Sequence, residues 1–250
     1  MKPIVQYKVI LALLFSTFSY STFAAESEIS GNVGVVSKYI YRGGVESNDL
    51  AAQGGLEYAH QSGMRVGYWG STLDYNPGRE EKATGFEHNL YIAYGQQLTT
   101  NWSYRLQSMA YIYHDANKVS AEQGDQRDIT TYDVSANVIY KNLNLSAAVI
   151  VADAATSNAG DTYLGAAYSH PLVNDFSLNT SIGATAYNSS RDDQIVTTTK
   201  DFVLSDARLG LSKQFANTGL LASVDYIYGG KNRIGEDLKD HVVFGLNYQF

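Results

Sequence analysis

Apolar residues recur at every second position through most of this chain, the period that a pleated strand produces because successive side chains face opposite sides. The final stretch is the clearest case, with Val242, Phe244, Leu246, Tyr248 and Phe250 alternating with His241, Val243, Gly245, Asn247 and Gln249. Twelve segments carry this alternation. Their apolar faces begin with Ile29, Gly31, Val33, Val35, Tyr39 and Tyr41, include Phe86, Leu90, Ile92 and Tyr94 in the fourth segment and Ala207, Leu209, Leu211 and Phe215 in the tenth, and end with the final strand. Connections alternate strictly in length. Long ones cover roughly residues 42–49, 74–85, 114–128, 153–160, 189–202 and 229–240, and short ones lie near 61–63, 99–101, 142, 171–175 and 216–219.

The second face of these segments is polar. Lys38, Glu57, Arg65, Glu87, Arg105, Asp133, Asp206, Arg208 and Asp225 fall on it, together with the aromatic residues Trp69 and Tyr91. In a soluble barrel the interior is the greasy side, so a polar inside and an apolar outside point to lipid as the surrounding solvent. A sheet in lipid must also close, because lipid offers nothing to the polar groups of an open edge. The pattern predicts an all-β, transmembrane, antiparallel, up-and-down β-barrel of about twelve strands, with long loops at one rim and short turns at the other. Ten strands plus a plug, or fourteen with one strand inside a loop, are the neighbouring counts. A one-residue slip of the tenth segment would turn Asp206 and Arg208 toward lipid, so register is strongly held. Lys213 breaks the parity but lies near a short turn, where its stem can snorkel to the interface.

Composition agrees with strands and tight turns: 20 Tyr, 22 Gly and only three Pro in 250 residues. At the amino terminus Lys2 and Lys8 precede the apolar run Val9 to Phe18, and Thr22-Phe23-Ala24 supplies a small-residue cleavage site. Residues 1–24 are expected to be a secretory signal and residues 25–250 a single barrel domain. Removing Lys2 and Lys8 takes the 18 Lys+Arg to 16 against 25 Asp+Glu, so the net charge moves from −7 to −9. That is a poor surface for nucleic acid. The absence of cysteine excludes disulfides and thiolate metal sites.

Ser37-Lys38-Tyr39-Ile40-Tyr41-Arg42-Gly43-Gly44, Gln53-Gly54-Gly55-Leu56-Glu57-Tyr58 and Gly67-Tyr68-Trp69-Gly70-Ser71 resemble the opening hairpins of the TorF-type porin family, a conserved hypothetical Gram-negative outer-membrane barrel. The resemblance covers about the first third of the mature chain. It implies an outer-membrane barrel and a pore of no named substrate, without catalytic residues to carry over; with the expected signal at residues 1–24, the location is the outer membrane of a Gram-negative bacterium, reached by Sec-type export. The carboxy-terminal strand likewise resembles the closing strand of such barrels. Phe244, Leu246, Tyr248 and Phe250 are then the expected assembly signal, read by the barrel-assembly machinery and by periplasmic chaperones.

A passive channel for small hydrophilic solutes accounts best for the polar face. Eight strands are filled by their own side chains and 16 to 18 leave a wide channel, so about twelve imply a narrow passage, constricted by a long loop or plugged. Glu57 is expected near Arg65, and Asp225 near Arg208, as scaffolding of the lumen wall. The inward Tyr91, Tyr111, Tyr113 and Trp69 could offer a stacking track to a ring-bearing solute. Acidic loop residues, among them Glu80-Glu81, Asp125, Asp128, Asp192-Asp193 and Glu236-Asp237, read as a hydrated outer surface without a metal-binding signature. Arg79, Lys82, Arg191, Lys231 and Arg233 could meet the phosphates of outer-membrane lipid and lipopolysaccharide. The alternatives are an enzyme of the lipase or protease kind, built on His114 with Asp115 or Asp128, or on His88 with Ser108, and a non-conducting adhesive barrel. Ser169-His170 fails as a catalytic pair, because neighbours in a strand face opposite sides. No cofactor and no metal is expected.

Overall fold

The computed structural model describes residues 27–75, 84–114, 119–120, 126–189 and 196–250. The expected signal at 1–24 lies outside the described residues, as do Arg79, Glu80, Glu81, Lys82, Asp115, Asp125, Arg191, Asp192 and Asp193.

Strand-forming sequence and short turns build β1 (Glu28–Val36), β2 (Tyr39–Tyr41), β3 (Gly44–Ser47), β4 (Ala51–Ala59), β5 (Met64–Leu73), β6 (Gly85–Gln97) and β7 (Trp102–Tyr113). They continue as β8 (Val119–Ser120), β9 (Gln126–Arg127), β10 (Thr131–Tyr140), β11 (Leu143–Ile150), β12 (Thr162–Pro171) and β13 (Phe176–Ala186). The series ends with β14 (Phe202–Gln214), β15 (Leu220–Gly229) and β16 (His241–Gln249). Twelve of these close into one antiparallel barrel, ordered β1-β4-β5-β6-β7-β10-β11-β12-β13-β14-β15-β16 and back to β1. The remaining four make two small hairpins, β2-β3 and β8-β9, inside the loops.

Closure removes the sheet's edges. Asn32 pairs with Gln249 and Val36 with Gly245 across the β1–β16 seam. Phe250 extends it, donating its N–H to the Gly31 carbonyl at 3.0 Å and accepting from the Gly31 N–H at 2.9 Å. The apolar faces point outward as expected: Phe244 is 61% exposed and Phe250 62%, and the side chains of Tyr248 and Phe250 stack. A soluble protein would bury such a belt, and its exposure is what a barrel surrounded by lipid presents. Lys213 behaves as its position suggests, donating to the Asn174 carbonyl at 2.6 Å and lying over the Phe176 ring beside the short turn.

Two features depart from the simple alternation. Tyr39 and Tyr41 do not continue the lipid-facing stripe of the first segment, because β1 ends at Val36 and residues 39–47 fold back as a separate hairpin. The second is a bulge in β14. Gly183 pairs with Asp206 but Ala184 with Leu204, so Ser205 is an extra residue, and both Ser205 and Asp206 face inward. Bulges of this kind re-aim side chains locally.

Leu106 lies near the middle of β7, half exposed, between Tyr94 and Ala136 on the outer face. Leu106→Arg is expected to destabilise the barrel by about 2–4 kcal/mol when folded into lipid vesicles, the cost of a midplane cation on a lipid face. Urea titration in vesicles measures this, and unchanged stability would show that Leu106 does not meet lipid.

Candidate functional site

The interior is organised by the β2–β3 hairpin, which enters the barrel and crosses it. Its turn is made by Arg42 (φ 48°) and Gly43 (φ 82°) between the paired Tyr41 and Gly44. Two left-handed residues in a two-residue turn give the tight hairpin whose twist matches its strands. At the root, Ile40 packs with Val36, Ala51, Ile227 and Val243 in a small apolar cluster inside the barrel. Tyr39 meets Trp69 edge-on, with ring centroids 5.6 Å apart. At the tip, a side-chain carbon on Gly43 would lie 2.3 Å from the Ser205 carbonyl oxygen, so the turn touches the wall at the β14 bulge. Only glycine allows that approach.

Arg42 is therefore carried from β1 to the far side of the ring. Its guanidinium lies 4.8 Å from the Tyr41 ring centroid and 4.6 Å from that of Tyr163 on β12. Nη2 reaches Asp133 Oδ2 on β10 at 3.5 Å. The same carboxylate oxygen accepts from the Tyr111 hydroxyl at 2.9 Å, and the Tyr41 and Tyr111 hydroxyls are 3.1 Å apart. The Tyr163 hydroxyl donates to Asp206 Oδ1 at 2.8 Å. The aromatic walls pin a cation in the lumen by their negative faces, with carboxylates behind them. Toward the hairpin's outer strand, Tyr75 donates to Glu46 at 2.9 Å. Burial raises the Glu46 carboxyl above its ordinary range, and the Tyr75 bond opposes that rise.

Between the tip and the β10–β13 wall remains a cavity of about 350 Å³. Tyr111, Tyr113, Tyr163 and Tyr187 line it with Arg42, and its outer rim comes from loops that are laced together. Asp161 is the knot of that rim, accepting from Arg233 at 2.7 Å and from the backbone N–H groups of Asn158 and Asn188 at 2.9 Å each. Arg233 also donates to Thr198 at 3.0 Å and lies over the Tyr187 ring. It is thus turned into the rim, and Lys231 is paired with Asp237 at 2.5 Å.

The sequence-expected interior residues separate into groups. Glu57, Arg65 and Arg105 form one buried network on the β4–β7 wall: Glu57 pairs with Arg65 and accepts from Arg105 at 2.9 Å and from Tyr91 at 3.0 Å. Trp69 and Glu87 are buried beneath the hairpin root, Glu87 accepting from Asn89 at 2.8 Å. Asp133 and Asp206 belong to the Arg42 cluster. Asp225 and Arg208 share the β14–β15 wall, but Arg208 Nε and Nη1, although buried, find no hydrogen-bond partner among the described residues. Lys38 is not a wall residue; it lies beyond the end of β1 and its ammonium is bonded to Asn48. The central group, Arg42, was assigned to an outer loop by the sequence pattern. The Arg42-Gly43-Gly44 turn between alternating apolar residues is the signal that marks it as a hairpin.

Of the residues weighed for catalysis, Asp115 lies outside the described residues, and His88 and Ser108 are not brought together. Ser108 is opposite Ile92 and His88 opposite Ile112, which separates the two by four residues along the sheet, about 13 Å. His88 instead accepts or donates with the Tyr68 hydroxyl at 2.9 Å and meets His114 edge-on. Asp128 caps its own loop through the Thr130 N–H. Ser169 faces inward to Asn179, while His170 stacks on Tyr168 outside. Among the described residues no group of three or more His, Cys, Asp or Glu side chains is arranged to hold a metal ion.

Comparison with known proteins supplies a family and a fold. The family model Gcw_chp, a bacterial protein of unknown function, matches residues 21–239. No curated protein matches the chain. Among solved structures, a KdgM porin is similar with a TM-score of 0.54 at 6% identity, over 88% of this chain and 98% of its own. A NanC porin is similar with a TM-score of 0.50 at 12% identity, over 89% and 99%. At these identities the likeness establishes the barrel fold.

Glu57→Ala leaves Arg65 and Arg105 buried together without their shared carboxylate. A loss of about 3–5 kcal/mol is expected, larger than that of Arg65→Ala, which keeps Glu57 bonded to Arg105. Urea unfolding of the two variants in vesicles measures the order; equal losses would show that the network is not shared.

Proposed function

The chain belongs to the Gcw_chp family of bacterial proteins of unknown function, and for this member we propose an outer-membrane channel that passes small hydrophilic solutes by diffusion. One observation carries the reading: the closed barrel keeps charged and polar side chains inward and leaves beside the hairpin a cavity of about 350 Å³, lined by Arg42, Asp161, Arg233 and tyrosines. A polar cavity of that size has room for water. A wet lumen in a closed barrel is a path. The twelve-strand ring supports a narrow one, and the hairpin narrows it further to the side lined by β10–β13.

Several other features fit. The TorF-type resemblance falls on the hairpin and on its seat at Trp69. The exposed apolar belt suits the outer membrane of a Gram-negative bacterium, reached by Sec-type export through residues 1–24. Barrel-assembly machinery and periplasmic chaperones are the partners this route requires, with Phe244, Leu246, Tyr248 and Phe250 as the recognition element. No cofactor or covalent chemistry enters the reading.

Refolded mature protein in a planar bilayer is expected to give stepwise current, with neutral sugars excluded above a small size. Replacing residues 39–47 by a short Gly-Ser linker is expected to raise the unit conductance several-fold. A silent wild-type barrel of verified fold would contradict the channel, and unchanged conductance without the hairpin would contradict the constriction. Deleting Phe250 removes one pair of seam hydrogen bonds and the terminal aromatic side chain. Less protein is then expected in the outer membrane, measured by quantifying folded barrel in membrane fractions; a normal yield would count against the assembly role.

A further inference from the structure

We propose that the cavity between the hairpin tip and the β10–β13 wall binds a small organic oxyanion, with Arg42 as the group that receives it. Arg42 is sandwiched by Tyr41 and Tyr163 and makes a single hydrogen bond among the described residues, the 3.5 Å contact with Asp133. A guanidinium carries five N–H donors in a planar fork suited to a carboxylate or phosphate. Most of that capacity is unspent, and the side chain retains 21% exposure on a cavity it lines. The stacking fixes its plane, so little ordering remains when an anion arrives.

The surrounding charges permit an anion. Arg42, Lys231 and Arg233 line the cavity with Glu46 and Asp161; Lys231 is paired with Asp237 and Arg233 with Asp161, which leaves Arg42 as the cation with donors to spare. Asp161 is bonded to Arg233 and to two backbone N–H groups, so its charge is already compensated. Glu46 is bonded by Tyr75, and burial favours its neutral form. Asp133 and Asp206 accept from tyrosine hydroxyls and do not line the cavity, and Asp133 meets Arg42 only through the long 3.5 Å contact. The tyrosine rings of the wall favour a solute with a flat or hydroxylated body over a bare inorganic ion. The inference rests on the channel reading for the route by which a solute arrives, and the site itself can be tested without it.

Isothermal titration of the detergent-folded barrel with sodium benzoate, and separately with inorganic phosphate, tests the site. Saturable benzoate binding is expected, weaker for phosphate, which offers nothing to the rings. Arg42→Gln should weaken benzoate binding about tenfold or more, as expected when a charge-assisted contact is lost. Arg42→Lys, which keeps the charge and loses the fork, should fall between the two. No saturable heat with either probe, an Arg42→Gln or Arg42→Lys barrel that binds benzoate as wild type does, or phosphate binding as tightly as benzoate would overturn the proposal. Arg42-dependent benzoate binding by a barrel that passes no current supports the site and contradicts the channel. Current without such binding contradicts the site alone.

Discussion

Every backbone N–H and C=O in a lipid-embedded sheet needs a partner from the same sheet, and that requirement shapes the rest of this molecule. An open edge in hydrocarbon would leave a row of polar groups unpaired, at several kcal/mol each. The β1–β16 seam is therefore as important as any side chain, although it is short and is completed by the last residue, Phe250. Once the sheet closes, the pleat divides its side chains between two solvents. Most Leu, Val and Ile side chains go outward, and the charged residues away from the strand ends are kept inward.

Closure creates a second problem, because a ring of this size is wider than its inward side chains can fill. The hairpin at residues 39–47 answers it from within the chain. Its root is seated by apolar contacts with Ile227 and Val243, its flank by Trp69, and its tip by contact with the Ser205 bulge. Three separate anchors make it a fixed partition rather than a loose loop. The wall accommodates its large side chains by placing glycine beneath them: a carbon on Gly67 would lie 2.1 Å from Tyr91, and one on Gly183 would lie 1.9 Å from the Tyr163 hydroxyl. Tyr91 and Tyr163 thus lie against the wall and reach Glu57 and Asp206 along it. Charge follows the same division, with Glu57, Arg65 and Arg105 paired on one wall and Arg42 held over the remaining opening.

Most of the barrel was legible in the sequence because a period of two is a local signal, repeated in every strand and interrupted by turns of alternating length. The Glu57–Arg65 contact was legible for the same reason, since the short turn at residues 60–63 sets the pairing of β4 with β5. What the pattern missed depends on contacts between residues distant in the chain. Tyr39 and Tyr41 keep the parity of β1, so alternation alone continued the strand through them; only the far wall at Asp133, Tyr163 and Ser205 makes an inward hairpin favourable. A strict alternation carried back from Ala207 would turn Leu204 inward; the Ser205 bulge resets the parity, so that Leu204 and Ala207 both face outward. Lys38 was misplaced for the opposite reason, its parity being right for a strand that had already ended.

The central claim is that the hairpin bridges the lumen from β1 to the opposite wall, and its most direct test is a covalent one. The chain has no cysteine, so Arg42→Cys and Asp133→Cys can be introduced together without background and treated with a short bismaleimide. Efficient intrachain bridging in the folded barrel, lost when the chain is unfolded in urea, is the predicted result. Both cysteines modified singly, with no bridge between them in the folded barrel, would contradict it.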